Sequence, residues 1–412
     1  MDSDVVVPFR GRGDPATLGG ALRRRLEELG TRRWAVVTLI VAASVVAAGN
    51  IAIVCTLWPV DLEVYRFGAQ ALVQGRDVYG PLPPTRGGLQ LPFIYPPFAA
   101  VLFLVFLVPP IPVAAVLMLG ISLAALGAVV YVVVRPRTSR RTAVVAAVLT
   151  ATVAPAFEPV RNTLWFGQVN LVLMALVAID CLAPKTRWPR GLMLGLAAAV
   201  KITPAGFVLF FLLKRDFRAA GTAVVTFLAA GLAAFAVAPR ASSEYWFGGQ
   251  LTTASGLSGS VYATNQTIQG AVHRLGLSPA PALIAIVVAT LTALVLAAGA
   301  MHRADAPMAL LLNAAAVLVC SPISWSHHWV WIVPAAVVLG ARVRSRRAVA
   351  GLVAVLVVFA VAPHSFLPAT QLRELSWQPL EHVAGNSYLL LAMGFLAWQC
   401  VAPSRSQEPA PG

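Results

Sequence analysis

An all-α, polytopic membrane fold of about 10–12 transmembrane or re-entrant helices is what this chain predicts. Three observations carry that prediction. Of its 412 residues 58% are hydrophobic and 11% charged, where an average soluble domain has about 25% charged. Apolar runs recur from Trp34 to Val401, with a mean hydropathy of +0.78 over the chain. Arg and Lys cluster between some of those runs, as positive-inside topology requires of cytoplasmic loops. That placement accounts for the formal charge of +15 without a nucleic-acid partner.

Five arginines (Arg23, Arg24, Arg25, Arg32 and Arg33) precede an apolar run from Trp34 to Leu57. The run is too long for the core of a cleavable signal, and no small-residue cleavage site stands out, so it reads as an uncleaved first transmembrane helix. A basic cytoplasmic segment at 1–33 and a cytoplasmic tail at 403–412 then flank one membrane domain at 34–402, with 1–20 and 403–412 expected to be disordered.

The remaining apolar segments lie at 92–109, 112–134, 142–156, 167–183, 191–213, 219–238, 281–300, 307–320, 328–341, 348–362 and 385–402. Basic clusters at 135–141, 185–190, 214–218, Arg303 and 342–347 assign those loops to the inside. Connections 58–91, 157–166, 239–280, 321–327 and 363–384 then fall outside. The inside loops with residues 23–33 hold 20 Lys and Arg against 7 outside, yet the outside set holds the aromatic and polar clusters.

Within 58–91, Leu62, Tyr65, Ala69, Leu72 and Val73 recur at helical spacing, which predicts an amphipathic helix along the outer membrane face. Segment 191–213 has basic clusters at both ends and Lys201 and Pro204 in its middle. A broken or re-entrant pair of short helices meets both facts, because proline removes a backbone donor and disfavours helix at the residue before it. Pro109-Pro110 poses the same parity problem for 92–134. The four cysteines (55, 181, 320 and 400) are scattered within or at the ends of apolar runs and read as inert thiols, with no disulfide framework or zinc site.

Against this apolar background the polar islands are the places to look for chemistry. Asp61 directly follows the first helix and reads either as the cap of the amphipathic helix or as a general base; Glu63 is a second acid on a different helical face. Tyr65 and Tyr95, the latter in Tyr95-Pro96-Pro97-Phe98, read as interfacial aromatics or as a pocket wall. Gln168 and Asn170 enter the apolar layer, where amides pair helices or hold sugar hydroxyls. Lys201 either snorkels or serves a phosphate in a polar cavity. The 239–280 connection contributes Asn265, Gln266 and Arg274. The junction Ser321–His328 supplies Trp325, His327 and His328. The two histidines have no neighbouring carboxylate or cysteine, which favours a phosphate or hydroxyl contact, or helix-end packing, over a metal site.

Together these are one acid, one membrane Lys, an Arg, two His and several amides near one face. The set suits a polyprenyl-phosphate-linked sugar donor: cations hold the phosphate, amides hold the sugar, and a carboxylate takes a proton from the acceptor hydroxyl. No G-x-x-x-x-G-K-[ST] motif is present, and no metal or cofactor is called for.

The run Asp61-Leu-Glu-Val-Tyr65 … Gly75 … Tyr79, Tyr95-Pro96-Pro97-Phe98, Gly167-Gln168-Val-Asn170, Lys201-x-x-Pro204, Asn265-Gln266-Thr267 and Ser321-Pro-x-Ser-Trp-x-His327-His328 resembles the actinobacterial polyprenol-phosphate-mannose-dependent α-(1→2)-mannosyltransferases, of glycosyltransferase family 87 in the GT-C superfamily. The resemblance spans residues 58–328 in order. It implies a plasma-membrane enzyme with an outward-facing active site and a β-linked mannosyl phospholipid donor. It also implies a lipid-linked glycan acceptor, inversion to an α-linked product, and Asp61 in the place of the family's catalytic acid. Lys201, Arg274, His327 and His328 are then the expected phosphate ligands. Glu63, Tyr65, Tyr95, Gln168, Asn170, Asn265, Gln266 and Trp325 are the expected sugar or acceptor contacts. Related enzymes transfer arabinofuranose from a decaprenyl phosphate. A transporter or lipid flippase is the alternative of another class; it predicts polar access from both sides, not polar motifs gathered on one.

Overall fold

The computed structural model describes residues 33–402 apart from Trp58 and Thr370, with Gly20, Arg24, Arg25, Glu27 and Glu28 of the preceding segment. Most of the basic segment and the tail at 403–412 lie outside the described residues.

Each of the apolar segments is helical. The helices are α1 (Arg33–Leu57), α2 (Val60–Val73), α3 (Pro97–Leu102), α4 (Ile111–Val134), α5 (Arg140–Val153), α6 (Glu158–Phe166), α7 (Asn170–Leu182), α8 (Leu192–Val200), α9 (Val208–Leu213), α10 (Phe217–Val237) and α11 (Pro239–Phe247). After a short turn at Gln250–Thr253 come α12 (Ile268–Arg274), α13 (Pro279–Arg303), α14 (Ala306–Cys320), α15 (Ile332–Gly340), α16 (Arg346–Val361), α17 (Pro379–Gly385) and α18 (Ser387–Val401). Among the described residues the one extended pairing is an antiparallel bridge between Asn265 and Trp325.

Apolar length did not translate uniformly into straight spans. Among the described residues four helices are long and apolar enough to cross a membrane: Trp34–Leu57, Ile111–Arg137, Phe217–Val237 and Pro279–Arg303. Arg140–Ala156 and Glu158–Phe166 form a fifth candidate bent by 87°. The other apolar segments are shorter helices, including 97–107, 170–182, 203–213, 306–320 and 387–401. On the long helices apolar side chains such as Val45, Leu232 and Val295 point outward, as a lipid-facing surface demands. All four cysteines are free thiols.

The helix expected in 58–91 is α2, and its apolar face packs on protein. Leu62, Tyr65 and Ala69 are fully buried, and only Val73 at its end is mostly exposed. Gly68 is required here: a Cβ would stand 2.4 Å from the Phe93 ring. Arg66 ties the helix to the end of the Phe103–Leu107 turn through the carbonyls of Phe106 and Pro109. Asp61 is not the cap of α2: Pro59 holds that position, and Asp61 lies inside the first turn.

Segment 191–213 breaks where proline chemistry predicts. Helix α8 ends at Val200, Lys201 is extended (φ −147°, ψ 129°), and a 3-10 turn at Thr203–Phe207 leads into α9.

Four basic or acidic connections meet at one end of the bundle. Asp305 accepts from Arg342 at 2.6 Å and Arg137 at 3.1 Å, and Lys214 donates to the Ala304 carbonyl at 2.7 Å. Helix α14 begins beside Asp305 and ends at the Ser321–His328 junction, and α15 runs from that junction back to Arg342. The charged node and the Ser-Trp-Ser-His-His junction therefore sit at opposite ends of the same two helices.

Candidate active site

Opposite the charged node, α2, α6, the break at Lys201 and the 3-10 turn Ser326–Trp331 bring the polar residues together. Gly167 makes the first placement possible. It ends α6 in the left-handed region (φ +69°), and a Cβ there would lie 2.9 Å from both Pro59 and Leu62. The chain after α6 thus closes directly onto the first turn of α2, which sets Gln168 beside Asp61. Gly167→Ala combines left-handed strain with a close clash, together about 1–3 kcal/mol. Lower thermal stability of the detergent-solubilised protein, with activity lost in step, is the expected result.

Gln168 is almost fully buried. Its Oε1 accepts from the Tyr65 hydroxyl at 2.7 Å and the Tyr95 hydroxyl at 3.2 Å, and the two hydroxyls are 3.0 Å apart. The Tyr65 and Tyr95 rings meet edge-on at 5.1 Å, with Phe103 stacked on Tyr65 at 4.3 Å. Asp61 is half-buried beside this cluster. Burial pushes its carboxyl up to about 6, opposed by the Gln168 side chain and by the charge of Lys201.

The Lys201 Nζ donates to Asn170 Oδ1 at 3.0 Å, stands 2.9 Å from His328 Nε2, and lies 5.5 Å from the centroid of the Tyr95 ring. With Lys201 protonated, Nε2 of His328 is the acceptor of this pair. Asn170 also donates to the His327 carbonyl at 3.0 Å, as does Thr163 at 2.8 Å. That fixes the histidine turn on α6 and α7. The His327 ring instead meets Phe166 edge-on at 5.5 Å. Lys201, Asn170 and His328 line a narrow cleft whose other walls include Met174, Phe207, Val317 and Trp331.

Other expected ligands are placed elsewhere. Arg274 is fully buried, and its guanidinium donates to the carbonyls of Val261, Tyr262 and Asn265 and to Asn386 Oδ1. Asn265 is tied to Ser260 O and Ser324 N. Gln266 is tied to Ala263 O, Gly385 O and Tyr388 N. These three side chains hold the 259–267 loop to α17, α18 and the Ser321–His328 junction, and their polar atoms are engaged chiefly by backbone. Glu63 is buried and accepts from the Arg86 amide at 3.1 Å. Trp325 is partly exposed, 6.3 Å from Tyr262.

Glu158 has a role that residue type alone did not reveal. It is buried on α6 and accepts from Ser326 Oγ at 2.6 Å, Asn162 Nδ2 at 2.6 Å and Tyr388 Oη at 3.0 Å. It therefore pins the 3-10 turn carrying His328 to α6 and α18. Its place beside Arg161 and Asn162, in a polar stretch between apolar runs, was the one signal in the sequence.

The family model for glycosyltransferase family 87 matches residues 93–322 of this chain. The chain belongs to glycosyltransferase family 87. A polyprenol-phosphate-mannose-dependent alpha-(1-2)-phosphatidylinositol mannoside mannosyltransferase of Mycolicibacterium smegmatis is 38% identical over 398 residues, 89% of each chain. The protein of the same description from Mycobacterium tuberculosis is 39% identical over 364 residues, 83% of this chain and 84% of its own. A pentamannoside mannosyltransferase of Mycobacterium tuberculosis is 35% identical over 281 residues, 67% of this chain and 64% of its own. No solved structure matches. The family 87 chain is thus a membrane glycosyltransferase.

Proposed function

We propose that this family 87 enzyme transfers mannose from a polyprenyl-phosphate donor to a phosphatidylinositol mannoside, with inversion to an α-linkage, on the outer face of the plasma membrane. One observation carries the reading: a half-buried carboxylate, Asp61, lies within electrostatic reach of a lysine, Lys201, that forms part of an apolar cleft. The relatives' donor and acceptor chemistry supports the choice of substrates.

In the proposed step Asp61 takes the proton of the acceptor hydroxyl. The oxygen attacks the anomeric carbon from the side opposite the phosphate; the new C–O bond forms as the bond to the phosphate oxygen breaks. The polyprenyl phosphate leaves as an anion beside Lys201 and His328, and such electrostatic stabilisation commonly contributes more to catalysis than any other effect. A phosphate leaves without a proton, so one carboxylate suffices. Lys201 has three hydrogens, and its present partners are neutral; a phosphate alongside favours its charged form. His327, whose ring faces Phe166, and Arg274, whose two terminal guanidinium nitrogens are engaged, are left with lesser parts. The charged node at Asp305 gathers the basic connections at the far end, which supports an outward-facing site under the positive-inside rule.

The test is transfer by the purified protein in nanodiscs from labelled polyprenyl-phosphate mannose to phosphatidylinositol mannosides, with product linkage read by α-mannosidase digestion. Transfer from polyprenyl-phosphate arabinose and not from mannose overturns the donor assignment. The pH profile is a second check. A base with a carboxyl near pH 6 is ionised above that value. Hence kcat/KM is expected to fall about tenfold per unit below pH 6 as Asp61 takes up its proton.

A further inference from the structure

We propose that Gln168 is the positioning residue of Asp61: the Tyr65 and Tyr95 hydroxyls hold its amide so that the NH2 group, and not the oxygen, faces the carboxylate. This deepens the reading above and rests on Asp61 being the base.

Hydrogen-bond inventory decides the orientation. Tyr65 donates to Gln168 Oε1 at 2.7 Å and Tyr95 approaches the same atom at 3.2 Å. Each buried phenol has one hydrogen and needs an acceptor. An ionised Asp61 offers only lone pairs. With the amide turned the other way, its oxygen would face the carboxylate and its NH2 group would face two phenols, a like-dipole contact on one side and a surplus of hydrogens on the other. The observed orientation gives both phenols an acceptor and leaves the NH2 group for Asp61. The backbone secures it: Gln168 N donates to the Thr163 carbonyl at 2.9 Å, and the Gly167 turn packs on Pro59 and Leu62. Both lone pairs of Oε1 are engaged and the side chain is 3% exposed. Gln168 therefore has little left to offer a sugar. Its NH2 group occupies one side of the Asp61 carboxylate, stabilises the ionised form and leaves the other oxygen for the acceptor hydroxyl.

The measurement is the pH dependence of kcat/KM in the full-length enzyme for wild type, Gln168→Leu and Gln168→Glu. Loss of the NH2 donor raises the carboxyl. The acid limb of Gln168→Leu is expected to move up by about one pH unit, a roughly tenfold loss at pH 5 that shrinks to about twofold near pH 7. Gln168→Glu keeps the acceptor for the tyrosines but sets a second carboxylate beside Asp61, so its limb moves further in the same direction. Donor KM stays within about twofold in Gln168→Leu. Should the buried substitutions prevent folding, Tyr65→Phe removes one clamp and shifts the limb the same way by less. An unmoved acid limb with a raised donor KM, while Asp61→Asn is inactive, overturns the positioning role and returns Gln168 to the sugar. Turnover by Asp61→Asn overturns the base assignment, and this proposal with it.

Discussion

Asp61→Asn is expected to leave an intact, donor-binding protein that does not transfer sugar. Asparagine matches aspartate in size and, in the orientation proposed for Gln168, its oxygen still accepts from that amide, so the packing of α2 against α6 is untouched. Its amide has no basicity with which to take the acceptor proton. General-base assistance contributes roughly 10²–10⁴-fold, and a loss of at least that range is predicted for single-turnover transfer with preformed donor complex. The amide has no charge to bury, and unchanged or slightly raised thermal stability should accompany the loss. Turnover within a few-fold of wild type would remove Asp61 from the chemical step.

Lys201→Met is expected to act on the donor. Methionine keeps much of the length and the apolar stem of lysine, so the turn between α8 and the Thr203–Phe207 segment is retained. The hydrogen bonds to Asn170 Oδ1 and His328 Nε2 vanish, and with them the ammonium in the cleft lining. Hydrogen bonds to charged groups are worth about 1.5–3 kcal/mol, so apparent donor affinity should fall roughly 10–100-fold. Titration with a non-hydrolysable polyprenyl phosphonate separates this from the chemical step: Lys201→Met should weaken that ligand and Asp61→Asn should not. An unchanged affinity in Lys201→Met would move the phosphate elsewhere.

Much of this arrangement could be read from residue order because lipid makes polarity conspicuous. A lysine followed by proline inside an apolar run implied a helix break, and the chain breaks there. Asp61 after the first span and the amides of Gln168 and Asn170 stood out for the same reason. What residue type could not separate was a polar side chain aimed at a ligand from one aimed at its own backbone. Arg274, Asn265 and Gln266 look like ligands in the sequence. In the fold they satisfy carbonyls and amides of a buried loop, because irregular backbone at that depth must find its partners within the protein. Glu158 and Tyr388 lie 230 positions apart, and nothing local foretells their contact. Where an apolar segment bends was not legible for a related reason: apolar length is visible in the chain, whereas bends such as the 87° one at Phe157 depend on what packs alongside.

Lys201 contacts three neutral groups, Asn170, His328 and the Tyr95 ring, while the carboxylate it feels is Asp61. On the proposed mechanism that cation has a consequence for the charge of the whole site. Before the step the negative charges are the Asp61 carboxylate and the phosphodiester of the donor. After it, Asp61 holds a proton and the departing monophosphate has gained a charge. The total is unchanged; one unit of negative charge has moved from one side of Lys201 to the other. The lysine is an electrostatic pivot, and the protein need import no countercharge between substrate and product. Resetting the cycle then means returning one proton from Asp61 to water as the lipid phosphate departs.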